Sequence, residues 1–260
     1  MDILAKLPRD DRYVGFVWDH PQFVLGIIFV YLWYVLKAGP SWMSKRRAYN
    51  LKWATRVFNL SQVIANLWFS YHTITIAWRH YPKGHFSFGC IPPSKMAELD
   101  SKTDSDMIVF AGLVYFWVRL FDLLDTVFFV LAKKESHVSF LHVYHHAVVV
   151  LTFYLYLRSG WWPSLFYAGV INSIVHIVMY TYYFLSTFPG LRPYLWWKKY
   201  LTAMQIMQFS ILALQLSWNT VFNCGYPVAV CQYNLVQAFI FLTLFTQFYV
   251  ENYKLGKKTV

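Results

Sequence analysis

The chain has 260 residues, of which 58% are hydrophobic, 21% aromatic and only 13% charged. A soluble domain carries about 25% charged residues, so this balance excludes a water-soluble globule and points to one polytopic membrane domain over residues 1–260. The formal net charge of +11 lies in short clusters between apolar runs, which fits loops at a cytosolic membrane face and gives no reason to expect nucleic acid as a partner.

The N-terminal stretch MDILAKLPRDDRYVGFVWDHP is too polar for the apolar core of a cleavable signal peptide. A spanning helix needs about 20 mostly apolar residues. Seven segments qualify, at roughly 21–37, 57–78, 107–131, 138–157, 161–185, 200–221 and 228–250. The backbone in hydrocarbon must satisfy its own hydrogen bonds, so each is expected to be a helix. The longest loop, 79–106, holds Pro92 and Pro93 and reads as irregular. No internal repeat or low-complexity tract is present.

Lys and Arg set the expected orientation. Counting Lys37 at the end of span 1, the loops after spans 1, 3 and 5 and the C-terminal tail hold fourteen basic residues, against eight on the other side. Arg119 lies inside span 3. Seven spans with the N-terminus outside (lumenal) and the C-terminus cytosolic follow from that bias. Cys90 and Cys224 then both fall in non-cytosolic loops, where a Cys90–Cys224 disulfide can form. Two unpaired thiols remain the alternative, and Cys231 reads as a packing residue. The tail ends GKKTV, with Lys257 and Lys258 placed like a dilysine retrieval signal of endoplasmic reticulum membrane proteins.

Ionisable residues inside spans mark functional sites by default. Span 3 reads VRLFDLLDTVFF and places Arg119, Asp122 and Asp125 at three-residue spacing on one face. The plainer reading is a structural ion pair. Span 4 opens with LHVYHH, in which His142, His145 and His146 follow i, i+3, i+4. Span 5 carries Asn172, His176, Tyr180 and Tyr183 in register, and span 6 carries Thr202, Gln205 and Gln208. A single buried histidine is usually a hydrogen-bonded core residue. Four polar faces in lipid can all be satisfied only by facing one another around a cavity.

Three chemistries suit such a cavity. His-x-x-His-His is one box of the membrane di-iron desaturases, but those enzymes use about eight histidines in three boxes. Of the nine histidines here, His20, His72, His80, His85 and His137 lie near loops or span ends, so a di-iron centre is not expected and no metal is assigned, although Asp122 and Asp125 could add ligands to a mononuclear site. Transporters often show repeats and broken helices, and neither is seen. In the third chemistry, a neutral imidazole attacks a thioester while a neighbouring His or Asp fixes its tautomer and takes the proton. A membrane cavity suits a long acyl chain, at about 0.8 kcal/mol per buried CH₂. Lys133, Lys134, Arg192, Lys198, Lys199, Lys254, Lys257 and Lys258 supply cations where a nucleotide phosphate would enter. Each of these alone is equally well explained by the charge bias of cytosolic loops.

With these motifs in order, the sequence resembles the membrane elongases of long and very long chain fatty acids, the 3-ketoacyl-CoA synthases. The resemblance covers nearly the whole chain. It is carried by HVYHH (His142–His146), NSIVHIVMYTYY (Asn172–Tyr183), RPYLWWKKYLT (Arg192–Thr202) with Gln205 and Gln208, GPSWMSKRRAYNL (Gly39–Leu51) and FNLSQ (Phe58–Gln62). One departure stands out. The family's Lys-x-x-Glu-x-x-Asp-Thr on span 3 is here Arg119-x-x-Asp122-x-x-Asp125-Thr126, and arginine is poorly suited to give up a proton.

The resemblance implies an all-α protein of seven transmembrane helices, with helices 2–7 enclosing an acyl tunnel. It implies two substrates, an acyl-CoA and malonyl-CoA, and no cofactor. His145 matches the position of the nucleophile and His176 that of its partner, with His142 and His146 orienting and tuning. Asp122 and Asp125 would hold imidazole tautomers. Asn172, Tyr180, Tyr183 and Gln208 would donate to the thioester oxygen or the malonyl carboxylate, with Gln205 beside them. Arg119, Lys133, Lys134, Lys199 and Lys254 would meet the charged part of the substrates. Other enzymes of the elongation cycle are expected as partners, and a homodimer is allowed. The pattern within the histidine box looks closer to the polyunsaturated and very-long-chain branches than to the branch with Trp after the first His.

Overall fold

The structure is a computed structural model, and it describes residues 8–87, 91, 92, 95, 99, 101–222 and 224–254; the side chains of Lys83 and Lys254 lie outside that description. The described residues are helical and contain no strand. Seven long rods dominate: α1 Pro21–Ser44, α2 Lys52–His80, α3 Lys102–Leu131, α4 Phe140–Arg158, α5 Phe166–Ser186, α6 Lys198–Phe222 and α7 Val228–Tyr249. At about 1.5 Å per residue, even α4, with its 19 residues, is close to the thickness of a bilayer's hydrocarbon core.

Five rods are both long and apolar enough to cross a membrane: α1, α3, α4, α5 extended back to Trp162, and α7 extended to Tyr253. The other two, α2 and α6, have the length, at 29 and 25 residues, but are more polar. Their polarity has a direction. On α2, Asn59, Gln62, Asn66, Ser70 and Thr73 are buried, whereas Leu60, Ile64, Leu67, Tyr71 and Trp78 are exposed. On α6, Thr202, Gln208, Gln215 and Asn219 are buried and Met207, Leu214, Trp218 and Val221 are exposed. A water-soluble helix does the opposite. Polar residues inside and apolar residues outside suit a rod whose outer face meets lipid.

The sequence explains where the rods stop. Pro21 occupies the first turn of α1, where its missing N–H costs nothing. Ser139 caps α4, its side chain accepting from the His142 backbone N–H at 3.3 Å. Gly160 (φ 71°) ends α4 in the left-handed region, and Trp161 N–H returns to the Tyr156 carbonyl at 2.8 Å. The α1 rod runs as a π-helix over Tyr34–Ala38 before resuming at Gly39. It therefore extends well past residue 37, the end expected from hydropathy.

The packing falls into two units. The first comprises the described residues up to Val57 together with Gly112–Trp162, that is α1, most of α3, and α4. Trp18 stacks on Tyr154 (centroids 5.3 Å) and leans on Phe116 (5.2 Å). Tyr154 donates to the Val17 carbonyl at 2.9 Å and Arg158 Nε to the Trp18 carbonyl at 3.1 Å. Arg158, the lone cation of its loop, is thus buried against the N-terminal segment. The second unit comprises Phe58–Ala111 and the described residues from Pro163 onward. There α6 packs on α5 and α7, with Phe209 against Phe241 (5.3 Å) and Phe245 (5.1 Å). Asp104 at the start of α3 accepts from Arg79 Nη1 and His80 Nε2, both at 2.9 Å.

Cys224 is disulfide-bonded and Cys231 is a free, buried cysteine. Cys90 lies outside the described residues, as do Lys257 and Lys258.

Candidate active site

The candidate residues form two groups, one in each unit.

In the first unit, α3 and α4 bring the acidic face and the histidine box together. Three-residue spacing on α3 sets Arg119 Nη1 3.0 Å from Asp122 Oδ2, with both side chains at most 5% exposed. The Arg119 guanidinium also lies 4.8 Å over the Tyr115 ring. This ion pair sits within one helix. One turn on, Asp125 Oδ1 accepts from His142 Nε2 at 3.2 Å and from Thr126 Oγ1 at 3.0 Å. His146 Nδ1 lies 3.7 Å from the same oxygen. The His142 and His146 rings overlap at 4.2 Å, and His145 meets His146 edge-on at 5.8 Å. The i, i+3, i+4 spacing thus gives one histidine cluster, as expected.

Asp125, His142 and His146 place a carboxylate oxygen and two ring nitrogens within 4.8 Å of one another. That donor set fits a metal ion such as zinc or ferrous iron. It equally fits a hydrogen-bonded carboxylate–imidazole cluster.

Lys133 and Lys134 follow α3 and are exposed. Lys133 adopts φ 53°, and its Nζ donates to the Ser44 carbonyl at 3.4 Å. Tyr49 N–H bonds the Leu131 carbonyl at 3.0 Å. These two contacts bring the Lys45–Arg47 cluster and the Lys133–Lys134 pair to one end of the unit.

In the second unit, His176 and Tyr180 sit one turn apart on α5, buried, with rings 5.5 Å apart. Phe58 of α2 meets Tyr180 edge-on at 5.8 Å. Tyr183 continues the row at 6.1 Å from Tyr180 but is 38% exposed. Asn172 is half-buried at the other end of the row. Gln205 Nε2 donates to Met179 Sδ at 3.7 Å, which ties α6 to α5. Gln208 is buried, and its Oε1 has no hydrogen-bond partner among the described residues. Asn59 Nδ2, Ser70 Oγ and Ser173 Oγ share that condition. Buried polar atoms are normally paired, so these atoms of α2, α5 and α6 have hydrogen-bonding capacity to offer a polar ligand. Lys199 is exposed, its Nζ 5.0 Å from the Tyr200 ring; Lys254 ends the described chain.

Sequence reasoning missed Tyr31, Thr126 and the polar stripe of α2. The stripe had a signal: Asn59, Gln62, Asn66, Ser70 and Thr73 repeat at helical spacing inside a span. Thr126 was visible beside Asp125 as part of a motif. Tyr31 had none, because a tyrosine in an apolar span is ordinary.

The family model described as ELO, the GNS1/SUR4 family, matches residues 16–260. The chain is 31% identical over 251 residues to very long chain fatty acid elongase 5 of Rattus norvegicus, covering 95% of this chain and 79% of that protein. It is 34% identical over 254 residues to very long chain fatty acid elongase 2 of the same species, covering 95% and 85%. The human elongase 5 is 30% identical over 251 residues, at 95% and 79% coverage. With a family model matching residues 16–260 and relatives similar along 95% of its length, the chain belongs to the ELO family.

Proposed function

We propose that the protein is the condensing enzyme of fatty acid elongation, a very-long-chain 3-oxoacyl-CoA synthase. It joins a long-chain acyl-CoA to malonyl-CoA and releases CO₂ and CoA. The observation that carries this is the hydrogen-bonded, largely buried cluster Asp125–Thr126–His142–His146, with the His142 side chain 22% exposed and His145 beside it, in a member of a family whose relatives are named elongases.

The reaction has two halves. The neutral His145 ring attacks the acyl-CoA carbonyl, the thioester C–S bond breaks, and CoA leaves as the thiol after taking a proton. The acyl chain is now on the imidazole. Malonyl-CoA then binds and loses CO₂. The electron pair of its C–C bond becomes an enolate, which attacks the acyl-imidazole carbonyl. The C–N bond breaks, the imidazole nitrogen takes up a proton from solvent to replace the one that left with the CoA thiol, and a 3-ketoacyl-CoA two carbons longer departs. Asp125 holds His142 and stabilises positive charge on the cluster as protons move. His176, Tyr180 and Gln208 offer buried donors for the thioester oxygen or the enolate. Seven spans place the N-terminus in the lumen and the C-terminus in the cytosol of the endoplasmic reticulum. The cationic ends then meet the CoA phosphates, and a Cys90–Cys224 disulfide lies on the lumenal side. The enzyme works with the others of its cycle and needs no cofactor.

The test is mass spectrometry of products made by purified protein from a mixed acyl-CoA pool and malonyl-CoA. Ketoacyl products two carbons longer, lost in His145→Ala, support the proposal. Their absence with every chain length overturns it. The donor set of Asp125, His142 and His146 favours one second reading, a metal-dependent oxygenase. Elemental analysis separates the two: stoichiometric iron, with activity abolished by a chelator, selects the oxygenase.

A further inference from the structure

Nothing in the sequence connects the first span to the chemistry, yet Tyr31 of α1 reaches the histidine box. We propose that Tyr31, acting through Thr126, is a positioning residue that fixes the proton arrangement of the Asp125–His142 pair; its role in turnover rests on the condensing-enzyme reading above.

The argument is an inventory of protons. Thr126 Oγ1 has three polar neighbours: Asp125 Oδ1 at 3.0 Å, His142 Nε2 at 2.9 Å and Tyr31 Oη at 2.9 Å. A hydroxyl has one proton and two acceptor positions. An ionised carboxylate only accepts, so the Thr126 proton goes to Asp125. The two acceptor positions remain for Tyr31 O–H and His142 Nε2–H. His142 Nε2 also faces Asp125 Oδ1 at 3.2 Å, so a lone pair on that nitrogen would meet a carboxylate. Each hydroxyl is then fully used. Thr126 is fully buried and Tyr31 is 6% exposed, so any other arrangement either leaves the Tyr31 O–H without an acceptor or turns a nitrogen lone pair toward Asp125 Oδ1, which buried polar groups avoid.

The consequence is a single tautomer. His142 carries its proton on Nε2, and its ring is held 4.2 Å from that of His146. Tyr31 occupies the one acceptor position on Thr126 that would otherwise be open. With phenylalanine there, the Thr126 hydroxyl is free to turn from Asp125 toward His142 Nε2, and the Nδ1–H tautomer becomes accessible. Chains of hydroxyls also polarise one another, so Tyr31 strengthens the bond from Thr126 to Asp125. The first span therefore acts on the site through a single hydroxyl.

The experiment uses the full-length protein in detergent, with Tyr31→Phe, Thr126→Val and Thr126→Ser compared with wild type. Steady-state condensation rates are measured, and nitrogen NMR of labelled histidine reads the ring of His142, assigned with His142→Gln. Tyr31→Phe is expected to lower kcat about 5–10-fold, with KM for acyl-CoA changing less than about 2-fold. Thr126→Val should lower kcat at least about 10-fold, and Thr126→Ser, which keeps the hydroxyl, should restore it. The wild-type spectrum should show protonated Nε2, and Tyr31→Phe a mixture of tautomers. Unchanged kcat and an unchanged tautomer in Tyr31→Phe overturn the proposal. So does a Thr126→Ser variant as impaired as Thr126→Val, because the methyl group and not the hydroxyl would then matter. Should Tyr31→Phe fail to fold, the serine–valine comparison asks the same question. If wild-type protein makes no ketoacyl product while the tautomer shift occurs as stated, the reaction assigned above falls and the positioning role stands.

Discussion

Asp125 holds the centre of the histidine box. One of its oxygens receives His142 Nε2 and Thr126 Oγ1, and His146 Nδ1 stands 3.7 Å away. Asparagine at 125 keeps the shape but replaces an acceptor-only carboxylate by a neutral amide, which no longer holds His142 Nε2–H and the Thr126 hydroxyl with a full charge. Asp125→Asn should lower kcat about 100-fold, the usual scale of a lost acid–base partner, with protein yield near wild type. Arg119 and Asp122 make a different case. They are paired and buried in one helix turn, so removing one takes away a buried opposite charge 3.0 Å from the other. Arg119→Met should destabilise by about 3–5 kcal/mol, read as a lower midpoint in detergent melting. Arg119→Lys keeps the charge and should retain most of the stability. An equal loss with lysine would show that the stacking on Tyr115 matters more than the charge.

At the scale of the helix, close approach explains one glycine. A Cβ on Gly39 would stand 2.8 Å from both the Tyr34 carbonyl oxygen and Val130 Cγ1 of α3. The carbonyl belongs to the π-helical turn and cannot swing aside. Gly39→Ala should therefore lose about 1–3 kcal/mol, and unaltered melting would show that α1 is free to slide along α3. The same scale shows what was legible beforehand. Hydropathy found α3, α4, α5 and α7 within a few residues, because they are apolar almost throughout. It ended α1 too early, since Pro40 and Lys37 look like a stop, yet the helix continues through a π turn. For α2 and α6, composition alone underrates a membrane rod whose buried face is polar. The acidic face of α3 and the histidine face of α4 could be read from spacing. That Asp125 meets His142, or that Tyr31 joins them, could not, because residues separated by 17 and 95 positions meet only through tertiary packing.

For the whole molecule, the basic residues predict a cytosolic face that holds Lys45–Arg47, Lys133, Lys134, Arg192, Lys198 and Lys199. Glycosylation acceptors inserted near residue 47 or 135 should stay unmodified in microsomes, while one placed before residue 12 should be modified. The reverse pattern would invert the proposed topology. Chelation should leave turnover unchanged, and iron below about 0.1 per chain, if the Asp125–His142–His146 set works as an acid–base cluster. The central claim is that an imidazole of the box carries the acyl group. Peptide mass spectrometry tests it most directly, on protein quenched after exposure to one long-chain acyl-CoA without malonyl-CoA. The account predicts an acyl mass on the peptide containing His145, discharged as ketoacyl-CoA once malonyl-CoA is added. Ketoacyl-CoA formed at full rate with His145 never acylated would contradict it.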